Sequence, residues 1–113
     1  RGGEPGLQLA RLGIDNLKAS GSLTRMPYWL SLLADLQARS ARADAARATL
    51  DAALATGRVH DDLWWLPEVM RMRACYDERD AATARLRSAV QLATAHGSIA
   101  LVQRCQRDLA GRS

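Results

Sequence analysis

The feature that most constrains the fold is a pattern of apolar side chains that recurs after 36 residues. In each aligned segment a small residue is followed four positions later by a large one and seven positions later by a further apolar one. Residues at this spacing share one face of an α-helix, where small side chains let a neighbouring helix approach closely. The pattern therefore predicts successive two-helix units that lie against one another. The aligned residues are Ala10, Ile14 and Leu17; Ala46, Leu50 and Ala53; and Ala82, Leu86 and Ala89.

Glycines punctuate the chain at similar intervals. Gly21, Gly57 and Gly97 each follow an alanine-rich stretch, and they are 36 and 40 residues apart. A glycine just after the last turn of a helix often adopts the left-handed conformation that ends the helix. The sequence therefore predicts a helix end at each of these three glycines.

The predicted fold is all-α, with about six helices arranged as antiparallel hairpins stacked into a short solenoid. We see no alternating apolar and polar run of strand length, and β-branched residues are scarce. Residues 1–113 are expected to form a single helical-repeat domain. The predicted helices are Glu4 to Ser20, Pro27 to Arg39, Asp44 to Thr56, Leu63 to Tyr76, Asp80 to His96 and Ile99 to Leu109.

The helix starts carry their own signals. Thr24 is expected to cap the second helix, which has Pro27 in its first turn, and Asp62 is expected to cap the fourth. Asp44 and Asp80 place negative charge at the N-termini of the third and fifth helices, where the helix dipole favours it. These positions agree with the helix boundaries predicted from the apolar periodicity.

Composition bounds the stability and the origin of this domain. Alanine is the commonest residue and phenylalanine is absent, so the helices should be thin and closely spaced. Small side chains bury little apolar area each, and the core should therefore be modest in stability. Because the chain begins with Arg1 and lacks a signal-peptide pattern, we expect it to be a piece excised from a larger protein.

The charge pattern leaves two interpretations. The chain has 16 Lys and Arg against 12 Asp and Glu, a formal net charge of +4, and only Lys18 is a lysine. The arginines are dispersed along every predicted helix, and several stand three or four positions from an acid. We favour the interpretation that these arginines form a solvated surface, and we do not expect nucleic acid to be a partner of this segment. The alternative is a nucleic-acid-binding helical domain that uses the dispersed arginines.

Cysteine usage and hydropathy bear on the compartment. Cys75 and Cys105 lie far apart without metal-ligand spacing, which favours reduced thiols in a cytoplasmic protein. The densest apolar stretch, Trp29 to Leu36, is broken by Ser31 and Asp35 and is too short to span a bilayer. No membrane partner is expected.

Several of these features together resemble the tetratricopeptide repeat. Their order is a helix end, an aromatic helix start, small residues at the helix contacts and a second helix end. The resemblance implies helical pairs that stack into a right-handed superhelix. The residues that carry it are Gly21, Tyr28, Trp29, Ala34, Ala46, Leu50, Ala53 and Gly57.

The second half of the chain has a narrower likeness. Trp64 to Ala74, the following alanine-rich helix, Ala95 to Ser98 and a final helix over Leu101 to Leu109 occur in that order. This order resembles the C-terminal helical-repeat region of large bacterial regulators of the ATPase-containing LuxR and adenylate-cyclase type. The family places Ala74 at the small position of this hairpin, whereas the 36-residue shift places Met70 there, so its register stays open.

The resemblance implies a non-catalytic module for protein interaction or signal relay, which is placed between an NTPase module and an output domain. Its partners would be neighbouring domains of the same chain or a partner peptide. Because a short array exposes apolar ends, we also expect self-association through the terminal helices. A third possibility is a segment of an enzyme whose active site lies elsewhere.

No catalytic constellation is evident. There is no glycine-rich phosphate loop and no Ser/His/acid arrangement, and His60 and His96 are far apart. We therefore expect no enzymatic activity, no cofactor and no metal. His60, Asp61 and Asp62 could together ligate a cation, but the interpretation that we favour is a solvated loop with a helix cap.

The candidate binding surface is a groove lined by first-helix residues. In the pairs Tyr28–Trp29 and Trp64–Trp65 one ring is expected to face the core and the other the groove or a neighbouring repeat. Glu68 and Arg71 are expected to form an ion pair within one helix, with binding of Arg71 to an acidic partner segment as the alternative. The predicted groove residues are Tyr28, Asp35, Arg39, Trp64 and Arg71.

Overall fold

The computed structural model of the protein describes residues 4–19 and 25–111. Over these residues the chain forms six α-helices and no strand, which confirms the predicted all-α class. None of these helices combines the length and the apolar character needed to cross a bilayer. The helices are α1 (Glu4–Ala19), α2 (Met26–Arg39), α3 (Ala43–Val59), α4 (Leu66–Ala74), α5 (Arg79–Ala95) and α6 (Ile99–Gly111).

The helices belong to two compact units, Arg1–Asp62 with α1 to α3 and Leu63–Ser113 with α4 to α6. In the first unit α2 contacts both α1 and α3, and in the second unit all three helices contact one another. Because only residues 40–42 join α2 to α3, these two helices run antiparallel as a hairpin. Two expectations are still predictions. They are that residues 1–113 form a single domain and that the hairpins stack into a solenoid.

The repeated apolar face is confirmed in α3 and α5. Its six residues there are at most 1% exposed, so both helices turn this face into the core of their own unit. In α1, Ile14 is buried and Ala10 is partly buried, while the Leu17 side chain lies outside the described part. Met70 and Ala74, the two alternatives for the register of α4, are both buried one turn apart. The six residues are Ala46, Leu50, Ala53, Ala82, Leu86 and Ala89.

One of the three glycines ends a helix as predicted. Gly97 has φ 71°, and the N–H of the next residue, Ser98, donates to the Ala93 carbonyl at 2.9 Å. This is the Schellman arrangement that closes a helix C-terminus. The prediction for Gly57 is wrong, because Gly57 is buried inside α3, which continues to Val59. Gly21 lies outside the described residues.

Two further helix ends use the same arrangement without glycine. After α2, Ala41 has φ 60° and the Arg42 N–H donates to the Gln37 carbonyl at 2.9 Å. After α3, Asp61 has φ 53° and the Asp62 N–H donates to the Gly57 carbonyl at 2.8 Å. The left-handed conformation is unfavourable for a residue with a Cβ atom, especially for alanine, which has no polar side chain to compensate.

Replacing Ala41 with glycine should therefore stabilise the protein. The substitution removes a steric cost of about 1–2 kcal/mol, part of which is offset by the greater freedom of glycine in the unfolded chain. We expect the free energy of unfolding in urea to rise by about 0.5–1 kcal/mol. The matched control is Ala55→Gly in the exposed interior of α3, which should lower the same quantity by about 1 kcal/mol. Changes of the same sign would contradict the left-handed role of Ala41.

The fourth helix and its cap differ from the prediction. α4 begins at Leu66, so Trp64 and Trp65 precede it rather than lie within its first turn, and it has no side-chain cap. Asp62 instead lies at the start of α2, where its Oδ2 accepts the Arg25 backbone N–H at 2.8 Å. A carboxylate at this end of α2 is favoured by the helix dipole. The predicted cap Thr24 lies outside the described residues.

The other helix-start signals are confirmed. Pro27 and Pro67 lie in the first turns of α2 and α4, where a missing N–H leaves no intrahelical bond unmade. Asp44 and Asp80 lie in the first turns of α3 and α5.

Candidate functional site

Three of the five predicted groove residues lie along one face of α2. Tyr28 and Asp35 are seven positions apart and Arg39 is four further, a spacing that aligns them on a helix. The Arg39 Nε lies 3.0 Å from Asp35 Oδ2, with the Arg39 side chain mostly in solvent and the Asp35 side chain half exposed. Trp64 precedes α4 and Arg71 lies within α4, in the second unit. A groove that joins all five stays a prediction.

The aromatic pairs contact within themselves. The Tyr28 and Trp29 rings meet edge to face with centroids 5.3 Å apart, and the Trp64 and Trp65 centroids are 5.2 Å apart. In each pair one ring is half-buried, Tyr28 or Trp65, while Trp29 and Trp64 are each 40% exposed. Neither ring of either pair is fully buried. The expectation that one ring of each pair faces the core is therefore met only in part.

A cluster of charged residues joins α4 to α6. The Glu68 side chain is 7% exposed and accepts two hydrogen bonds from Arg71, from Nε at 2.9 Å and from Nη2 at 2.6 Å. Arg71 Nη1 also donates to Asp108 Oδ2 at 3.2 Å, and Arg104 Nη1 lies 3.2 Å from Glu68 Oε2. We call Glu68, Arg71, Arg104 and Asp108 the Glu68 cluster. Bidentate pairs of this kind are among the strongest polar contacts in proteins.

This cluster bears on the two interpretations of Arg71. The predicted ion pair with Glu68 is confirmed, and hydrogen bonding to Glu68 raises the pKa of the Arg71 guanidinium. Each guanidinium nitrogen of Arg71 already donates to a carboxylate of its own unit. The geometry therefore favours a structural role over binding of an acidic partner segment. No local sequence pattern could indicate that α6 contributes to this cluster, because Asp108 is 37 residues from Arg71.

A second ion cluster holds the connection between α4 and α5. Asp77, with a side chain only 10% exposed, accepts from Arg73 Nη1 at 3.0 Å and from Arg85 Nε at 2.7 Å. Together with the pairs of Arg39, Arg47, Arg71 and Arg104, these contacts use many arginines to balance acids of the same unit.

Gln37 of α2 forms a buried polar contact in the first unit that no sequence pattern indicated. Its side chain is 2% exposed, and one amide orientation satisfies every neighbour. In it the amide nitrogen donates to Thr49 Oγ1 at 2.7 Å and to the Ala45 carbonyl at 3.2 Å, while the amide oxygen accepts from Arg11 Nη2 at 3.2 Å. The opposite orientation pairs the Gln37 oxygen with Thr49 alone. Gln37 thus links α1, α2 and α3.

The two cysteines are free thiols in contrasting environments. Cys105 is fully buried in α6 and its Sγ lies 3.7 Å from the Pro67 carbonyl oxygen. Burial, and next to it the negative charge of Glu68, raises the pKa of the Cys105 thiol to about 11. Cys75, at the end of α4, is exposed.

A thiol-labelling experiment should separate them. Because the thiolate is the reactive form, we expect a disulfide reagent at pH 8 to modify Cys75 rapidly and Cys105 only after unfolding. Above pH 9 the unfolded Cys105 thiol ionises while the folded one does not, so the folded state should lose stability as the pH rises toward 11. Mass spectrometry of the labelled peptides gives the site. Equal rates at both cysteines in the native protein would show that Cys105 is accessible.

Within residues 4–19 and 25–111, no group of three or more His, Cys, Asp and Glu side chains is placed to hold a metal ion. Asp62, which the sequence placed in a possible cation loop with His60 and Asp61, is instead engaged with the Arg25 N–H.

Comparison of the chain with protein-family models, with curated proteins and with solved structures finds no match in any of the three.

Proposed function

We propose that the chain is a non-catalytic, tetratricopeptide-like module that acts by protein contact, as an interaction or relay element of a larger bacterial transcriptional or signalling regulator. The observation that carries the proposal is the apolar face that recurs, fully buried, in α3 and α5. A contact face that returns at a fixed interval is typical of helical-repeat arrays, which bind through extended surfaces.

The same face supports a relay role. Ala46, Ala53, Ala82 and Ala89 are fully buried, so the helices approach closely at the alanine positions of this face. A short side chain has no alternative rotamer with which to absorb a displacement of its helix. A shift imposed on one helix should therefore be passed to the next, which is the behaviour that a relay between an NTPase module and an output domain needs.

The exposed face of α2 is the surface that we assign to a protein partner. Trp29 and Leu32 are each 40% exposed and lie three positions apart, next to the Asp35–Arg39 ion pair. An apolar centre with a charged rim is the usual composition of a protein interface, and tryptophan is enriched among the residues that dominate binding energy. We call Trp29, Leu32, Asp35 and Arg39 the α2 surface.

The test uses the segments that the proposal places on either side of this chain. Each segment is expressed separately and titrated against the chain by calorimetry. We expect at least one to bind, and Trp29→Ala with Leu32→Ala to weaken binding by about tenfold or more. Val59→Ala, which changes an exposed apolar residue of α3, is the matched control and should leave affinity unchanged. Absence of binding, or equal loss with the control, would contradict the proposal.

A DNA-binding measurement tests the alternative function. The chain is titrated with an unspecific DNA duplex at low and at physiological salt. We expect no binding of the duplex at either salt concentration, since several arginines pair with acids of their own unit. Binding that weakens steeply with salt would favour the nucleic-acid-binding domain instead.

Self-association is a further expectation of the same proposal. Leu9 and Leu12 of α1 and Ile99 of α6 are large apolar residues that are mostly exposed. Sedimentation should show a concentration-dependent dimer that Leu9→Ser with Leu12→Ser weakens. A clean monomer at high concentration would contradict this expectation.

A further inference from the structure

The first unit contains a pocket between its three helices that the proposed function does not use. It has a volume of about 240 Å³. Ile14, Leu30 and Leu33 form an apolar wall together with two alanines of α3, while Arg11, Asp15 and Thr49 supply polar groups. This volume lies below the ~300–1,000 Å³ of sites for drug-sized ligands and above the ~150 Å³ cavity that holds benzene. A ligand of amino-acid size would fit.

The positive group of this pocket, Arg11, is held by a contact with a buried side chain. The buried Gln37 amide oxygen accepts from Arg11 Nη2 at 3.2 Å, and its nitrogen is anchored on Thr49 and on the Ala45 carbonyl. One contact of this kind uses a single N–H of the guanidinium, and the others stay available to a carboxylate. Preorganisation of this sort reduces the entropy lost on binding.

The pocket also presents a negative group beside the positive one. Asp15 lies one helical turn after Arg11 on α1, and both line the pocket. Side chains four positions apart on a helix are neighbours, with Cβ atoms about 5–6 Å from each other. A ligand with only a carboxylate would meet repulsion from Asp15, and one with only an ammonium group would meet repulsion from Arg11.

We propose that this pocket binds a small zwitterion with an aliphatic body, an α-amino acid of the leucine class. The ligand carboxylate pairs with Arg11, its ammonium group with Asp15, and its side chain lies against Ile14, Leu30 and Leu33. Both ligand charges stand on one carbon atom, as the closeness of Arg11 and Asp15 requires. The inference is independent of the proposed relay function, because it concerns another surface of the first unit.

The test titrates the full 113-residue chain with L-leucine and follows backbone amide shifts by NMR. N-acetyl-leucine, which keeps only the carboxylate, and leucine amide, which keeps only the ammonium group, are the comparison ligands. We expect leucine to shift amides around Ile14, Leu33 and Thr49, and each comparison ligand to bind about tenfold more weakly or worse, the loss of one charge-assisted contact. Equal binding of N-acetyl-leucine would assign the pocket to a peptide C-terminus and overturn the proposal.

Two variants address the charged groups directly. Arg11→Gln and Asp15→Asn should each raise the dissociation constant for leucine by about tenfold or more. Arg47→Gln, at an exposed ion pair of α3, is the matched control and should leave it unchanged. Circular dichroism confirms that each variant is folded. No shift at about 10 mM leucine, a concentration suited to a ligand this small, would overturn the proposal, as would equal binding by the two variants and the wild type.

Discussion

Replacing Glu68 with glutamine is expected to lower the free energy of unfolding by about 2–4 kcal/mol. The substitution keeps the size of the side chain but removes the carboxylate that Arg71 and Arg104 share. Loss of one partner from a buried ion pair leaves the other charge uncompensated. Because the Arg71 side chain is 25% and the Arg104 side chain 49% exposed, water compensates them in part. The measurement is the midpoint of unfolding in urea. The dependence of the free energy of unfolding on urea concentration should stay unchanged.

The control for this prediction is an ion pair on the surface. Asp35→Asn removes a half-exposed carboxylate whose partner, Arg39, lies 3.0 Å away and is mostly in solvent. Exposed pairs of this kind contribute little, and we expect the free energy of unfolding to change by less than about 0.5 kcal/mol. If the two variants behaved alike, the Glu68 cluster would not hold α4 against α6.

Replacing Leu86 with alanine should lower the free energy of unfolding by about 2–5 kcal/mol. Leu86 is fully buried in α5 with Ala74 and Ala82, and the half-buried Leu109 packs against this group. Its neighbours are mostly too small to close the cavity that the substitution leaves. Since domains of this kind are stable by only about 5–15 kcal/mol, a large part of the folded population should be lost at elevated temperature.

The matched control truncates an aliphatic side chain at an exposed site. Val59→Ala at the end of α3 changes a side chain that is 78% exposed, and we expect a change below about 0.5 kcal/mol. Thermal and urea unfolding followed by circular dichroism measure both variants. A loss below about 1 kcal/mol for Leu86→Ala would mean that the core around α5 rearranges to fill the space.

The sequence predicted those features that depend on residues close together in the chain. The buried faces of α3 and α5 follow from positions i, i+4 and i+7, and the first-turn prolines and aspartates follow from the chemistry of helix starts. Gly97 ended its helix because its position after the last turn favoured the left-handed conformation.

Features that depend on distant residues escaped prediction. Helix α3 passes through Gly57 and ends at Val59, and the left-handed position after it is taken by Asp61. The next residue, Asp62, accepts the Arg25 N–H, which is 37 positions away in the chain. The contacts of Arg71 with Asp108 and of Gln37 with Arg11 join separate helices and leave no periodic signal. Whether Tyr28, Asp35, Arg39, Trp64 and Arg71 form one groove is still a prediction.

The fully buried alanines of α3 and α5 make this protein unequally sensitive to random point mutation. An alanine codon changes by one nucleotide to codons for valine, threonine, serine, proline, glycine, aspartate or glutamate. At Ala46, Ala53, Ala82 or Ala89, only glycine avoids adding atoms, and it weakens the helix by about 1 kcal/mol. The other substitutions add atoms or a charge, or break the helix, at a position where the packing leaves no space. A gene for such a chain therefore has few neutral neighbours at these codons, whereas its exposed alanine codons tolerate most changes.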